Sequence, residues 1–199
     1  MHNYPLVLAI DTSCDDTSVA VTRGTRVISN IIASQTALHA PYGGVFPTVA
    51  KLAHKENIAA ALALALKRAH VTMAEIELLA VTIGPGLAPA LEVGITAAQS
   101  LALEHSLPLV GVNHVEGHVL SVLASPTDER VFGTIKFPVL ALVVSGGHTQ
   151  YIEIKALGEY HILGSSLDDA AGECLDKIGR MLGLGYPAGP VIEEFARLG

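Results

Sequence analysis

Apolar positions in this chain come in short unbroken runs closed by small polar turns, and two longer stretches with helical spacing lie between them. Pro5 to Asp11 is such a run, and β-branched residues resume at Ser18–Thr22 and Arg26–Ile32, which predicts three consecutive strands. The Pro- and Gly-rich segment from His39 to Pro47 reads as a loop. A long helix follows from about Thr48 to His70, with Ala53, Ile58, Ala61, Leu62 and Leu66 on its buried side. Lys51, His54, Lys55 and Glu56 at its start read as a solvated face. Leu78–Ile83 is the next strand, Gly84-Pro85-Gly86-Leu87 a sharp turn, and Pro89–His105 a second helix. Leu109–Val112 is a short strand that runs into a helix from His114 to about Ala124, and 125–130 is a polar break.

The pattern then starts over. Val139–Val144, Gln150–Ile154 and Tyr160–Leu163 repeat the strand character seen from residue 7, and a helix follows near Leu167 with Asp168 as its expected N-cap. A Gly/Pro loop from Gly183 leads to a last helix near Val191. Repetition of an apolar strand, a small polar turn, two further strands and a helix predicts an α/β protein of duplicated halves around a cleft. The expected division is 1–135 for a first, complete half and 136–199 for the opening of a second, truncated one.

Half of the 199 residues are hydrophobic, ample for a sizeable core, and disorder is excluded as a general description. The formal charge of −7 argues against a globally basic nucleic-acid-binding surface, so any such site is expected to be a local patch. Lys51, Lys55, Lys67 and Arg68 are the candidates for a phosphate track. Cys14 and Cys174 have no paired spacing, the N-terminus lacks the pattern of a signal peptide, and the run Ile58–Leu66 is too short to span a bilayer. A reducing, cytoplasmic setting with no membrane association is expected.

Candidate chemistry gathers where strands end. His114 and His118 are four apart on one helical face, a spacing that suits two nitrogen ligands of one divalent metal and equally suits an ordinary polar pair. The turn Thr12 to Thr17 carries Asp15 and Asp16 just after Asp11. It has three open readings: a phosphate held by backbone N–H groups, a metal held by carboxylates, or an Asx-type turn, which composition favours. Gly84-Pro85-Gly86 lets backbone approach a ligand closely, or is only a tight connection. Asp169, Glu173, Asp176 and Lys177 cluster at the start of the later helix, where one carboxylate could face the cleft while others pair with Lys177 or Arg180.

Six motifs, in order and across nearly the whole chain, resemble one family: Ile-Asp-Thr-Ser-Cys-Asp-Asp-Thr from Ile10, His-x-x-Tyr-Gly-Gly-Val-x-Pro from His39, Gly-Pro-Gly-Leu from Gly84, Val-Asn-His-x-Glu-Gly-His from Val112, Val-Ser-Gly-Gly-His-Thr from Val144, and Leu-Asp-Asp-Ala-Ala-Gly-Glu-x-x-Asp-Lys from Leu167. The chain is similar to the tRNA N6-adenosine threonylcarbamoyltransferases, the TsaD family, formerly Gcp. The resemblance implies an actin-like (ASKHA) duplicated, ribonuclease H-like α/β fold. It also implies transfer of threonylcarbamoyl from threonylcarbamoyl-AMP to N6 of the adenosine beside the tRNA anticodon. It implies His114 and His118 as ligands of one divalent metal, Fe2+ or Zn2+, and Val143, Val144, Ser145, Gly146, Gly147, Asp176, Gly189 and Glu193 as the adenylate site. The implied partners are tRNA and the TsaB and TsaE subunits of the bacterial complex. His148 matches the bacterial or organellar form of its motif.

Several positions depart from the family pattern. Glu193 stands where Asp is usual, and Asp11 and Asp16 stand where Glu is usual. Family members continue with an Asn-containing, Gly-rich adenylate segment and an Asp that completes the metal site, so an incomplete form is expected, inactive alone and weak in metal binding. The general base is open between Asp15 and Glu116. A zincin-type metalloprotease needs its Glu beside the first His, whereas Glu116 lies about 200° around the helix from His114 at about 100° per residue. The other readings kept open are an ASKHA-type ATPase or kinase and a non-catalytic partner-binding module.

Overall fold

A computed structural model describes residues 4–125 and 135–199. The described residues form two compact units, one of 4–38 and 45–125, the other of 39–44 and 135–199. The expected boundary between 135 and 136 abuts a stretch, 126–134, outside the described residues, as is most of the predicted polar break.

In the first unit the elements run β1 (Leu6–Asp11), β2 (Asp16–Arg23), β3 (Arg26–Ser34), α1 (Thr36–His39), α2 (Pro47–Ala69), β4 (Leu78–Gly84), α3 (Ala88–His105), β5 (Leu109–Asn113) and α4 (His114–Leu120). α1 ends across the division between the units, and α4 is shorter than its sequence suggests because Ser121–Leu123 tightens into a 3-10 turn. Five strands form one mixed sheet in the order β3-β2-β1-β4-β5. β1, β2 and β3 are antiparallel neighbours, joined by short turns, whereas β4 and β5 lie parallel to β1 because helices carry the chain back between them.

Alternation decides which face each strand buries. Leu6, Leu8 and Ile10 of β1 point to the same side as Val19 and Val21 of β2 and Leu79 and Val81 of β4, and all are buried. α2 and α3 cover that face, and they come close because their inward positions are small: Ala61, Ala65 and Ala69 on α2 and Ala98 on α3. Ile58, Leu62 and Leu66 pack around these alanines as partly buried neighbours, in keeping with the predicted apolar side of α2. Removing a side chain as fully enclosed as Leu8 or Leu79 would cost about 2–5 kcal/mol. One residue overturns the expected solvated face at the start of α2: His54 is completely buried, because the helix turns it inward beside Ala50 and Ala53.

Register carries the fold to its site. β1 and β4 pair Ile10 with Val81, and β4 and β5 pair Gly84 with Asn113. The C-terminal ends of three parallel strands therefore lie side by side, and each opens a turn or a helix there: the Asp-rich turn, the Gly-Pro-Gly turn and α4.

The second unit contains β6 (Val139–Val144), β7 (Thr149–Ala156), β8 (Glu159–Ser165), α5 (Ala171–Met181) and α6 (Gly189–Ala196). Its strands form an antiparallel meander in the order β6-β7-β8 with Val143, Ile152 and Ile154 buried. α5 and α6 cross at Gly179, where a Cβ would meet that of Ala188 at 2.0 Å. The expected N-cap is corrected: α5 begins at Ala171 and its N-cap position is Ala170, which has no capping side chain, while Thr149 Oγ1 of β7 accepts from Ala171 N–H at 2.8 Å. Asp168 sits too far upstream, and the neighbouring Asp169 is drawn instead into an ion pair with Lys177. Among the described residues no helix is long and apolar enough to cross a membrane.

Candidate functional site

Asn113, the last residue of β5, makes the turn into α4 abrupt. Its side chain accepts hydrogen bonds from the backbone N–H groups of Val115 and Glu116, two donors the first turn of a helix leaves unpaired. The helix thus starts at His114 with no intervening loop, and His118 follows one turn on. Their Nε2 atoms converge to 3.0 Å and their rings meet edge to face at 4.4 Å between centroids.

The opposite edge of the His114 ring faces the end of β1. Nδ1 lies 3.0 Å from Asp11 Oδ2 and 3.2 Å from Ser13 Oγ. An ionised carboxylate only accepts, so Nδ1 carries a proton towards Asp11, and in the neutral ring Nε2 presents its lone pair towards His118. The other oxygen of Asp11 accepts from Ser13 N–H at 2.7 Å, which makes the turn an Asx turn, the reading its composition favoured. Burial pushes the Asp11 carboxyl up, but hydrogen bonds from His114 and Ser13 outweigh that and hold it at about 2. Asp11 is therefore ionised at neutral pH, with both oxygens engaged in fixing its neighbours.

Backbone contacts hold this turn from several sides. Thr12, buried, donates from Oγ1 to Ala90 O at 2.8 Å and accepts from Gly94 N–H at 3.2 Å, which ties the turn to α3. The carbonyl of Ser13 accepts from Leu87 N–H at 2.8 Å, and a Cβ on Gly86 would lie 2.6 Å from that same carbonyl oxygen. The Gly-Pro-Gly turn thus lets backbone approach the Asp-rich turn, an approach a side chain at position 86 would block.

Metal binding can be weighed on these donors. Two imidazole nitrogens converge on one point, and the ring of His114 is oriented through its other nitrogen by a carboxylate, the arrangement usual behind metal-ligating histidines. At the roughly 2.0–2.1 Å of a Zn–N bond both Nε2 atoms can reach a single ion. Among the described residues no group of three His, Cys, Asp or Glu side chains is arranged to hold a metal. Asp15 is half-buried and Asp16 exposed on the same turn; Glu116 lies on α4 between the two histidines in sequence, half-buried.

In the second unit the strand-to-strand turn after β6 is locked from within. Ser145 N–H donates to His148 O at 2.8 Å, and His148 N–H donates to Ser145 Oγ at 3.0 Å, which leaves Gly146 and Gly147 exposed at the tip. The start of α5 rests on it: Gly172 N–H donates to Ser145 O at 3.2 Å, and a Cβ on Gly172 would lie 2.8 Å from that oxygen. Asp176 accepts from Ala188 N–H at 2.7 Å, so it holds the loop that leads into Gly189 and α6. Glu193, one turn further, is exposed and pairs with Arg197. Val143 is buried and Val144 exposed, as alternation along β6 requires.

Sequence patterns found His114, His118 and the two Gly turns. They missed Ser13 and His54, because a hydroxyl that meets His114 and an imidazole that meets Cys14 O and Thr17 Oγ1 do so across the fold and have no spacing signature. Of the proposed phosphate track, Lys55, Lys67 and Arg68 are exposed on α2, while Lys51 pairs with Glu92 at 2.6 Å.

A family described as TsaD, tRNA N6-adenosine threonylcarbamoyltransferase, matches residues 26–199. A tRNA N6-adenosine threonylcarbamoyltransferase of Cyanothece sp. is 50% identical over 97% of this chain and 54% of its own length. One of Lactiplantibacillus plantarum is 48% identical over 98% and 54%. The chain thus spans about half the length of the curated relatives it matches. Among solved structures, YeaZ from Pseudomonas aeruginosa superposes with a TM-score of 0.53 at 18% identity, over 84% of this chain and 68% of that one, a likeness of fold.

Proposed function

The chain belongs to the TsaD family of tRNA N6-adenosine threonylcarbamoyltransferases, and on that premise we propose that it forms the histidine-bearing part of an enzyme that transfers threonylcarbamoyl from threonylcarbamoyl-AMP to tRNA adenosine. The observation that carries this reading is the His114–His118 pair, its two Nε2 atoms turned towards each other and its first ring oriented by Asp11. The proposed architecture is the duplicated actin-like fold, with β6, β7, β8 and α5 as the opening of the second half.

In the reaction the N6 amine attacks the carbamoyl carbon. A C–N bond forms, the C–O bond to AMP breaks, and the amine gives up a proton. The donor is an activated mixed anhydride, so the protein needs no nucleophile of its own; positioning and charge stabilisation suffice. His114 and His118 would hold a divalent ion, Fe2+ or Zn2+, which supplies positive charge and Lewis acidity when bound. Asp11 keeps the His114 proton on Nδ1 and so leaves Nε2 as a ligand. The exposed tip at Gly146 and Gly147 offers backbone donors to the adenylate, with Val143, Val144 and Ser145 forming its base. Asp176 acts on Gly189 by holding the loop before it, and Glu193 stands at the same helix. Asp15 and Glu116 are the candidates for proton acceptor. tRNA would approach through local cations such as Lys55, Lys67 and Arg68, and TsaB and TsaE would be its protein partners.

The test uses the complete protein with its partner subunits, unmodified tRNA and threonylcarbamoyl-AMP, with nucleosides read by mass spectrometry. Modified adenosine should form with the wild type and fall at least about 100-fold with His114→Ala or His118→Ala, the scale on which loss of preorganised electrostatic stabilisation acts. Undiminished modification by the His114→Ala/His118→Ala double variant would refute the assignment.

A further inference from the structure

His54 stands on α2, an element that contributes none of the candidate ligands, yet it reaches the turn that does. Its imidazole is completely buried, a costly place for a titratable group unless both nitrogens are used. They are. Nε2 lies 3.0 Å from the carbonyl oxygen of Cys14, and Nδ1 lies 2.7 Å from Thr17 Oγ1. A carbonyl only accepts, so Nε2 carries the proton; Nδ1 of the neutral ring then accepts from the Thr17 hydroxyl. Burial lowers the pKa of His54 below its ordinary value, in keeping with this neutral form.

The two bonds hold the turn at its middle, at Cys14, and just inside β2, at Thr17. Cys14 follows Ser13, whose Oγ and whose neighbour Asp11 meet Nδ1 of His114, and Thr17 sits where β2 begins. The carbonyls on either side of Cys14 are held by backbone, that of Ser13 by Leu87 N–H and that of Asp15 by Gln35 N–H at 2.9 Å. At Cys14 the donor is the imidazole of His54.

We infer that His54 is a positioning residue for the His114 imidazole: by clamping Cys14 and Thr17 it keeps Asp11 and Ser13 on Nδ1, and so keeps Nε2 unprotonated and available to a ligand. The last step rests on the metal reading proposed above; the effect on the His114 proton does not. An apolar residue of similar size would fill the space yet leave the Cys14 carbonyl and the buried Thr17 hydroxyl without this partner. The turn would then relax, and Asp11 would hold Nδ1 less closely.

The experiment is long-range histidine proton–nitrogen correlation NMR on the complete, metal-free protein, comparing wild type, His54→Phe and His54→Gln, with circular dichroism to verify folding. The wild type should show His114 as one tautomer, protonated at Nδ1. His54→Phe should show a mixture, and His54→Gln, whose amide can still donate to Cys14, should restore the single form. Zn2+ competition with a chromophoric chelator should show affinity weakened about tenfold in His54→Phe, within the range for groups that orient metal ligands, and recovered in His54→Gln. A folded His54→Phe protein with His114 wholly in the Nδ1–H form would overturn the proposal, as would a His54→Gln protein no better than His54→Phe. If His54→Phe does not fold, Thr17→Val, which removes the hydroxyl and keeps the volume, must produce the tautomer mixture instead. Failure of the wild type to bind Zn2+ would sink the metal reading and leave the NMR result to decide the role of His54.

Discussion

Replacing Gly94 by Ala would put a methyl group 2.5 Å from Thr12 Oγ1 and 3.2 Å from its Cγ2, inside a buried contact between α3 and the Asp-rich turn. Neither partner can step aside cheaply. Thr12 Oγ1 donates to Ala90 O and accepts from the N–H of Gly94 itself, so rotating the hydroxyl away gives up both bonds. Overpacking of this kind costs about 1–3 kcal/mol, and a buried group left without its partner about 1–3 kcal/mol more. Against this stands a gain of about 1 kcal/mol from replacing Gly in a helix. The expected net loss is about 3 kcal/mol, which at an m-value of roughly 1–3 kcal/mol/M lowers the urea midpoint by about 1.5 M. Gly117→Ala is the control: nothing lies within 4 Å of its added Cβ, so the same change there should stabilise α4 by up to about 1 kcal/mol. Both variants would be compared with wild type at the same unfolding transition. Equal or greater stability of Gly94→Ala would show that the turn is not packed against α3 as described, and the argument for a rigid Asp11 would go with it.

Three further outcomes follow from the same residues. Asn113→Ala removes the acceptor for two N–H groups at the start of α4 and should cost about 1 kcal/mol, read as faster amide exchange in that helix. Asp11→Asn keeps the shape but loses the charge on His114 Nδ1, so Zn2+ affinity should fall about 10–100-fold in competition titrations; unchanged affinity would contradict the orienting role. The pKa of His54 is lowered, with burial outweighing the upward pull of the Cys14 carbonyl and of Asp11, Asp15 and Asp16. The unfolded chain therefore binds this proton more readily, and the His54 contribution to stability is full above the ordinary value of 6.5 and lost as pH falls below it towards the lowered folded value. Urea midpoints from pH 7.5 to 5.5 should fall more steeply for wild type than for His54→Gln, and parallel slopes would contradict a buried neutral imidazole.

Much of this was legible in the one-dimensional pattern. Runs such as Leu78–Ile83 and Val139–Val144 read as strands, the alanine-rich stretch after Pro47 read as a packed helix, and His114 and His118 were bound to share a face once their helix was recognised, because that spacing is one turn. These properties depend on local geometry. Asp168 shows the limit even of local rules: a residue with the right chemistry for a cap was bypassed because the helix began three residues later.

Contacts across the fold were set by tertiary structure alone. Asp11 and His114 are more than a hundred positions apart, and they meet because parallel pairing of β1, β4 and β5 brings three strand ends to one edge. The polar sequence around His54 promised solvent, yet the rotation of α2 on the sheet points this one side chain inwards, where a carbonyl and a hydroxyl are waiting to be paired. Sequence determined which residues could carry the chemistry. Strand register and helix rotation, properties of the assembled sheet, decided which of them touch.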